Sequence, residues 1–112
     1  MVIHDLVASG LGSPDASSRY AEFIDFDEGN ESELIGHNIT AAEVTQLLLN
    51  RPAWAPNHKG KTGLWLAVGY TTGGRALTVP VLYDEIRSAV RPITGWDSTT
   101  GERTRYLRRE PR

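Results

Sequence analysis

Two histidines and two arginines in this sequence have the chemistry needed to cleave a phosphodiester bond without a metal. Such cleavage requires a group that accepts the proton of the ribose 2′-hydroxyl, a charge that stabilises the phosphorane, and a group that protonates the leaving oxygen. Histidine suits proton transfer near neutral pH, and arginine matches a phosphate with its planar fork of donors. His37 and His58 are therefore candidate acid–base groups, and Arg75 and Arg91 are candidate phosphate ligands.

A second set of basic and aromatic residues is suited to holding a polyanion. Basic side chains pair with phosphates, and an exposed indole offers a surface on which an unpaired base can stack. The indole of Trp96 has a second possible role, which is to fill a pocket that an arginine would otherwise use. The candidate RNA-binding residues are Lys59, Lys61, Trp96, Arg103, Arg105 and Tyr106.

The candidates also have ordinary structural explanations. His37 can cap the carbonyls at a helix end, and Arg91 alternates with Val90 as an exposed strand residue would. Glu102 lies three residues after Thr99, the spacing of a capping box. A lysine-rich stretch such as NHKGKTG is often a solvated loop. Residue type alone leaves these alternatives open.

Charge is distributed unevenly along the 112 residues. Residues 1–43 contain nine acids and one base, a net charge of −8, whereas residues 44–112 contain eleven bases and five acids, a net charge of +6. No acid occurs between Val44 and Tyr83. This separation predicts either a basic face for nucleic acid, screened by the acidic part, or simple solvation of two surfaces.

Composition excludes several classes of site. The chain has no cysteine, so disulfides, thiolate metal sites and a cysteine nucleophile are ruled out. The first residues lack the basic and apolar regions of a secretion signal, and no apolar run approaches the roughly 18 residues of a membrane span. We therefore expect a cytoplasmic protein without a metal or other cofactor.

The pattern of residues predicts a mobile tail over residues 1–20 and one domain over residues 21–110. The stretch EFIDFD (22–27) alternates as a strand does, and the acidic segment after it predicts a short helix ending near Gly36. A clear helix begins at the Thr40–Glu43 capping box and stops before Pro52.

The second half of the sequence predicts mainly strands. The runs 64–70 and 76–83 flank a Gly73-Gly74 turn, Pro80 indicates an edge or a bulge, and 88–94 is a further strand. A capped basic helix is predicted over 99–109. The expected fold is α+β, an antiparallel meander with helices packed on it.

Four stretches, in order, resemble the BrnT family of bacterial toxins. They are FDEGN…L..H.IT (26–40), AAEVTQLLLNRP, GKTGLWLAVGYTTGGR.LTV and VRPIT..DST..ER..Y, and together they cover about residues 22–106. The resemblance implies a small cytoplasmic ribonuclease toxin with a RelE-like α+β fold. It also implies metal-independent RNA cleavage and inactivation by a DNA-binding antitoxin, with a homodimer possible within that complex.

The same resemblance assigns roles to individual positions. His37 resembles the family's histidine at the end of the first helix, Arg75 the arginine after the hairpin turn, and Arg91 the arginine of the last strand. Glu102 and Tyr106 resemble the acidic and aromatic positions of the terminal helix. With His58, these residues complete the candidate catalytic set: His37, His58, Arg75, Arg91 and Glu102.

Three positions depart from the family pattern. Gly36, Tyr70 and Trp96 stand where the family commonly has a basic residue. Fewer cations weaken phosphate binding, so the alternative to a toxin is a catalytically degenerate BrnT-like module that binds a protein or regulates. A DNA-binding regulator that uses the arginine-rich terminal helix is a third hypothesis.

Overall fold

The computed structural model describes residues 21–57 and 64–107. The predicted tail over residues 1–20 lies outside the described residues, and so do the candidate residues His58, Lys59 and Lys61. In chain order the elements are β1 (Phe23–Ile24), α1 (Glu28–Gly36), α2 (Ala41–Leu49), β2 (Ala53–Pro56), β3 (Leu64–Tyr70), β4 (Ala76–Asp84), β5 (Ala89–Pro92), β6 (Trp96–Asp97) and α3 (Thr100–Glu102). The predicted α+β class is confirmed.

The strands of the described residues form one mixed sheet. Its order is β1-β5-β4-β3-β2, and β6 pairs with β4 beyond the end of β5. The strands β3 to β5 form the predicted antiparallel meander, and β2 extends it by an antiparallel strand that was not predicted. The pairing of β1 with β5 is parallel and was not predicted, because it joins segments more than sixty residues apart and leaves no local pattern.

Pro80 lies inside the sheet, so the first predicted alternative, an edge position, is wrong; the second, a bulge, is present here but in the strand beside β4. The Pro80 carbonyl accepts a hydrogen bond from Ile93 N at 2.9 Å, between the end of β5 and the start of β6. The Val81–Pro92 pair and the Thr78–Trp96 pair are three residues apart along β4 but four residues apart along the chain beside it, from β5 to β6. The extra residue lies in the neighbouring strand, and the proline nitrogen faces this irregular junction, where no donor is required.

The helices α1 and α2 cover one face of the sheet. Leu34, Ile39 and Leu47 are fully buried there against the β4 side chains Leu77 and Val79. The Thr40–Glu43 capping box is present as predicted and starts α2. Burial of this apolar layer provides the main stabilisation that holds the helices on the sheet.

The end of α1 matches the prediction in position but not in mechanism. Gly36 is its last helical residue, and His37 follows with a φ of −104°. The left-handed conformation that normally favours glycine is adopted by Asn38, with a φ of 63°. Asparagine tolerates this conformation, so the turn into α2 forms without a glycine there.

The terminal segment lies on the opposite face of the sheet. Side chains alternate along β4, so Thr78 points away from the face of Leu77 and Val79. The Thr78 hydroxyl donates to Glu102 in α3 at 2.9 Å. The predicted helix over 99–109 is correct at its capped start, and its last two residues lie outside the described residues. Within the described part, Thr100–Glu102 is α-helical and Arg103–Leu107 forms a π-helical turn.

Gly95 permits close packing between the helical layer and the sheet. A Cβ atom at this position would lie 3.2 Å from Ile39 Cδ1 and 3.3 Å from both Leu34 Cδ2 and Val79 Cγ2. All three neighbours are fully buried, so none can move without disturbing the core. The glycine thereby sets the position of the connection between β5 and β6.

We expect Gly95→Ala to lower the free energy of unfolding by about 1–3 kcal/mol, the usual cost of overpacking a core. Gly36→Ala is the matched control, because a Cβ there would meet no atom within 4 Å and α1 would gain a better helix former. The control should be neutral or stabilise by up to about 1 kcal/mol. Urea denaturation of both variants makes the comparison, and equal stability would contradict the packing argument.

Candidate functional site

An open groove of about 330 Å³ lies between α1 and the chain that leaves β5. Its lining residues come from two distant parts of the sequence: Gly29, Asn30, Glu33, Arg91, Ile93 and Thr94. The helix supplies the first three and the strand end supplies the others. The groove therefore exists only once α1 has packed beside β5.

Asn30 joins the two walls of this groove. Its side-chain amide nitrogen donates to the carbonyls of Asp25 and Pro92, each at 2.9 Å, and its oxygen accepts from Asp27 N at 2.8 Å. The residue is only 4% exposed, and these bonds satisfy both donors of the amide. The bond from Asp27 N to the Asn30 oxygen is also one half of an Asp27–Asn30 capping box at the start of α1.

Arg91 lines the groove and is paired with acids from the start of the chain. Its Nη1 lies 2.9 Å from Asp27 Oδ2 and 3.6 Å from Asp25 Oδ2, and its Nη2 lies 3.3 Å from Asp27 Oδ1. The hydrogen bond from Arg91 is the largest cause of the lowered pKa of Asp27. A phosphate in the groove must therefore compete with both carboxylate oxygens of Asp27 for the Arg91 guanidinium.

His37 contacts the groove through Glu33. The imidazole Nε2 lies 3.2 Å from Glu33 Oε2, and the same oxygen accepts a hydrogen bond from Thr94 Oγ1 at 2.9 Å. The side chains of His37 and Glu33 are about half exposed, at 47% and 51%. Of the predicted catalytic residues, Arg91 therefore lines the groove, whereas His37 lies beside it, linked through Glu33. Arg91 contacts Asp27 at the start of α1, and His37 follows the end of this helix.

Arg75 lies in a separate cluster and is almost fully occupied. Its Nη1 donates to Asn38 O at 2.9 Å and to Glu43 at 3.1 Å, and its Nε and Nη2 donate to Asp97 at 2.8 and 3.3 Å. The guanidinium joins the turn before α2, the first turn of α2, and β6. These contacts favour a structural role over the predicted role in catalysis.

Glu102 is held as an ionised carboxylate. It accepts hydrogen bonds from Thr99 N at 2.8 Å, from Thr78 Oγ1 at 2.9 Å and from Trp96 Nε1 at 3.1 Å. Burial raises the pKa of Glu102, but the donors, led by the Thr99 backbone, outweigh it and lower the pKa overall. A carboxylate stabilised in this way is poorly suited to donate a proton, so its contacts favour the capping role.

Trp96 anchors the terminal segment through the same carboxylate. Its indole N–H is used by Glu102, and its ring is partly exposed. Beyond it, Arg103 and Arg105 are exposed, and the Arg105 guanidinium carbon lies 5.7 Å from the ring centre of Tyr106. No carboxylate of the described residues pairs with either arginine. These two cations remain available on the terminal segment.

Acidic and basic residues are separated along the sequence, but they do not form two separate faces of the folded domain. Arg75, Arg87 and Arg91 each contact two carboxylates, and Asp25, Asp27 and Glu43 of the acidic first part supply most of them. Folding thus brings acids of the first third onto arginines of the second part. The predicted basic face is largely neutralised around the sheet.

Within residues 21–57 and 64–107, no three histidine or acidic side chains are grouped so that they could hold a metal ion. No helix of the same residues is long and apolar enough to cross a membrane. No family model, curated protein or solved structure matches this chain. The resemblance to BrnT therefore depends on the sequence stretches that carry it.

Sequence reasoning missed Glu33, Thr94 and Asn30 as site residues. The contact between Glu33 and His37 could have been predicted, since residues four apart on a helix are neighbours on its surface. Thr94 is 61 residues from Glu33, and the pairing leaves no local pattern. Asn30 was not recognised because its capping box has asparagine where glutamate or glutamine is usual.

The Arg75 cluster predicts a specific dependence of stability on pH. The Thr40 backbone lowers the pKa of Glu43 most, with burial opposing and Arg75 adding to the effect, and the Arg75 hydrogen bond lowers the pKa of Asp97. Because both pKa values fall on folding, this stabilisation is present above the unfolded values of 4.5 and 3.8 and is lost as the pH falls through the folded ones.

We expect Arg75→Gln to lower the free energy of unfolding by about 1–2 kcal/mol at neutral pH. The variant should also lose less stability than the wild type between about pH 5 and pH 3, because it has less carboxylate stabilisation left to lose. Arg103→Gln, an exposed arginine without an acidic partner among the described residues, is the control. Parallel stability curves for Arg75→Gln and the wild type would show that the ion pairs contribute nothing.

Proposed function

We propose that this chain is a BrnT-like toxin component with a RelE-like fold, which binds and cleaves RNA without a metal in the groove beside α1. It acts in the cytoplasm and is neutralised by a DNA-binding antitoxin. The observation that carries the proposal is that Arg91 and Glu33 line one groove and that Glu33 contacts His37, although 54 positions separate His37 from Arg91 in the sequence. The order of the quoted sequence stretches gives independent support.

The position of His37 suits proton transfer. Glu33 can only accept a hydrogen bond when ionised, so Nε2 of a neutral His37 carries the proton and Nδ1 carries the lone pair. In the proposed reaction Nδ1 takes the proton of a ribose 2′-hydroxyl, and the 2′-oxygen bonds to the adjacent phosphorus. The bond from phosphorus to the 5′-oxygen breaks, and the imidazolium returns the proton to that oxygen.

Arg91 supplies the charge that this step needs. Its guanidinium exchanges Asp27 for two non-bridging phosphate oxygens and stabilises the charge that develops on them. The exchange costs little because Asp27 is half exposed and is rehydrated once released. Arg103, Arg105 and Tyr106, with Trp96 beside them, lie on the opposite face of the sheet and provide a second contact for RNA that extends beyond the groove.

The second candidate function is a catalytically degenerate interaction module. The specific observation in its favour is that both arginines expected to bind phosphate are already paired with carboxylates. Glycine, tyrosine and tryptophan at positions 36, 70 and 96 remove further cations. Such a module would bind its partner without cleaving RNA and would be harmless to the cell.

Cleavage of a labelled single-stranded RNA in EDTA tests the proposal. We expect His37→Ala to lower the rate by about 100-fold or more, the usual contribution of a proton-transfer group. Arg91→Ala should also lose most activity. Arg87→Ala is the matched control: Arg87 pairs with the same Asp25 but does not line the groove, so its removal should leave the rate near that of the wild type.

All variants are first compared by circular dichroism and urea denaturation, so that unfolding is not mistaken for loss of chemistry. A folded wild type that neither cleaves RNA nor arrests growth on expression would contradict the toxin proposal and favour the interaction module. Equal losses in Arg87→Ala and Arg91→Ala would instead assign the effect to the Asp25 ion pairs and not to the groove.

A further inference from the structure

We infer that Glu33 is a positioning residue for His37, and that Thr94 holds Glu33 in place for this purpose. The inference rests on the proposed function, because it assigns the proton-transfer role to His37. It adds two residues that no sequence motif marked. The chemistry is that of a carboxylate which fixes the orientation and tautomer of an imidazole.

The geometry places one carboxylate oxygen between two donors. Glu33 Oε2 lies 3.2 Å from His37 Nε2 and 2.9 Å from Thr94 Oγ1. Thr94 follows β5, whereas Glu33 and His37 are one turn apart at the end of α1. The carboxylate is therefore tethered to the sheet side of the groove and not only to its own helix.

The tether matters because His37 and Glu33 are both about half exposed. An isolated pair of this kind on a helix surface is weak, and its side chains move among rotamers. The hydroxyl of Thr94 limits the rotamers open to Glu33, which in turn limits those open to the imidazole. This arrangement leaves Nδ1 as the atom that can accept a proton.

The charge of Glu33 has a second effect on the same step. When His37 accepts a proton the ring becomes a cation, and the carboxylate at Nε2 stabilises that cation. Glutamine at position 33 would keep an oxygen acceptor but remove the charge, and alanine would remove both. The two substitutions therefore separate orientation from electrostatic stabilisation.

The experiment compares Glu33→Ala, Glu33→Gln and Thr94→Val with the wild type. The first readout is the χ1 rotamer distribution of His37, measured by three-bond NMR couplings in the absence of RNA. We expect one dominant rotamer in the wild type and in Glu33→Gln, and averaging in Glu33→Ala, with Thr94→Val intermediate. Glu31→Ala is the matched control, since it removes the same charge from an exposed position of the same helix.

The second readout is RNA cleavage by the same variants. We expect Glu33→Ala to lower kcat about fivefold with KM little changed, the scale expected for a half-exposed pair, and Glu31→Ala to have no such effect. Glu33→Gln should fall between them, because it restores the rotamer but not the charge.

Failure of this inference is distinguishable from failure of the proposed function. A wild type that is inert towards RNA would overturn the ribonuclease proposal and with it the positioning role in catalysis, whatever the rotamers. An active wild type with unchanged His37 rotamers and unchanged kcat in Glu33→Ala would overturn the positioning role alone.

Discussion

The candidate site depends on the buried amide of Asn30. This one side chain accepts from the backbone of Asp27 and donates to the backbone carbonyls of Asp25 and Pro92, so it joins β1, the start of α1 and the end of β5. A buried amide with unsatisfied donors would be costly, so the position of α1 against β5 is strongly specified. The groove, the Arg91–Asp27 contact and the Glu33–Thr94 contact all lie between the elements that it joins.

The second organising feature is the pairing of charges that are distant in the sequence. Arg91 contacts Asp25 and Asp27, and Arg75 contacts Glu43 and Asp97. The two clusters differ in consequence. Arg75 bonds to three elements and has little capacity left for a ligand, whereas Arg91 faces an open groove and is held by a half-exposed carboxylate that a phosphate can replace. These contacts favour a structural role for Arg75, and the open groove is the basis of the phosphate-binding role proposed for Arg91.

Much of the local structure could be predicted from the sequence, because capping boxes, turns and strands depend on residues that are close together in the chain. The capping boxes at Thr40 and Thr99, the hairpin turn with its positive φ at Gly74, and the strands on either side of it were all predicted and are confirmed. The parallel pairing of β1 with β5 and the interior position of Pro80 were not, since both depend on contacts between distant segments.

The site was predicted only in part, for the same reason. His37 and Arg91 were identified by residue type and by family resemblance, but their partners Glu33, Thr94 and Asp27 are defined by the way α1 packs on the sheet. The negative charge around Arg91 agrees with the predicted screening of basic residues by the acidic part, but the sequence did not show which acids would contact which arginines. Folding brought them together, and this changes how the arginines can act.

NMR mapping with a short oligonucleotide that carries 2′-O-methyl groups, and therefore cannot be cleaved, tests the proposal that RNA binds in the groove beside α1. Binding at the groove should shift the amide signals of Gly29, Asn30, Ile93 and Thr94 and the ring signals of His37, and the effect should weaken as salt is raised. Shifts confined to the terminal segment from Arg103 to Tyr106, or no shifts at all, would contradict the claim.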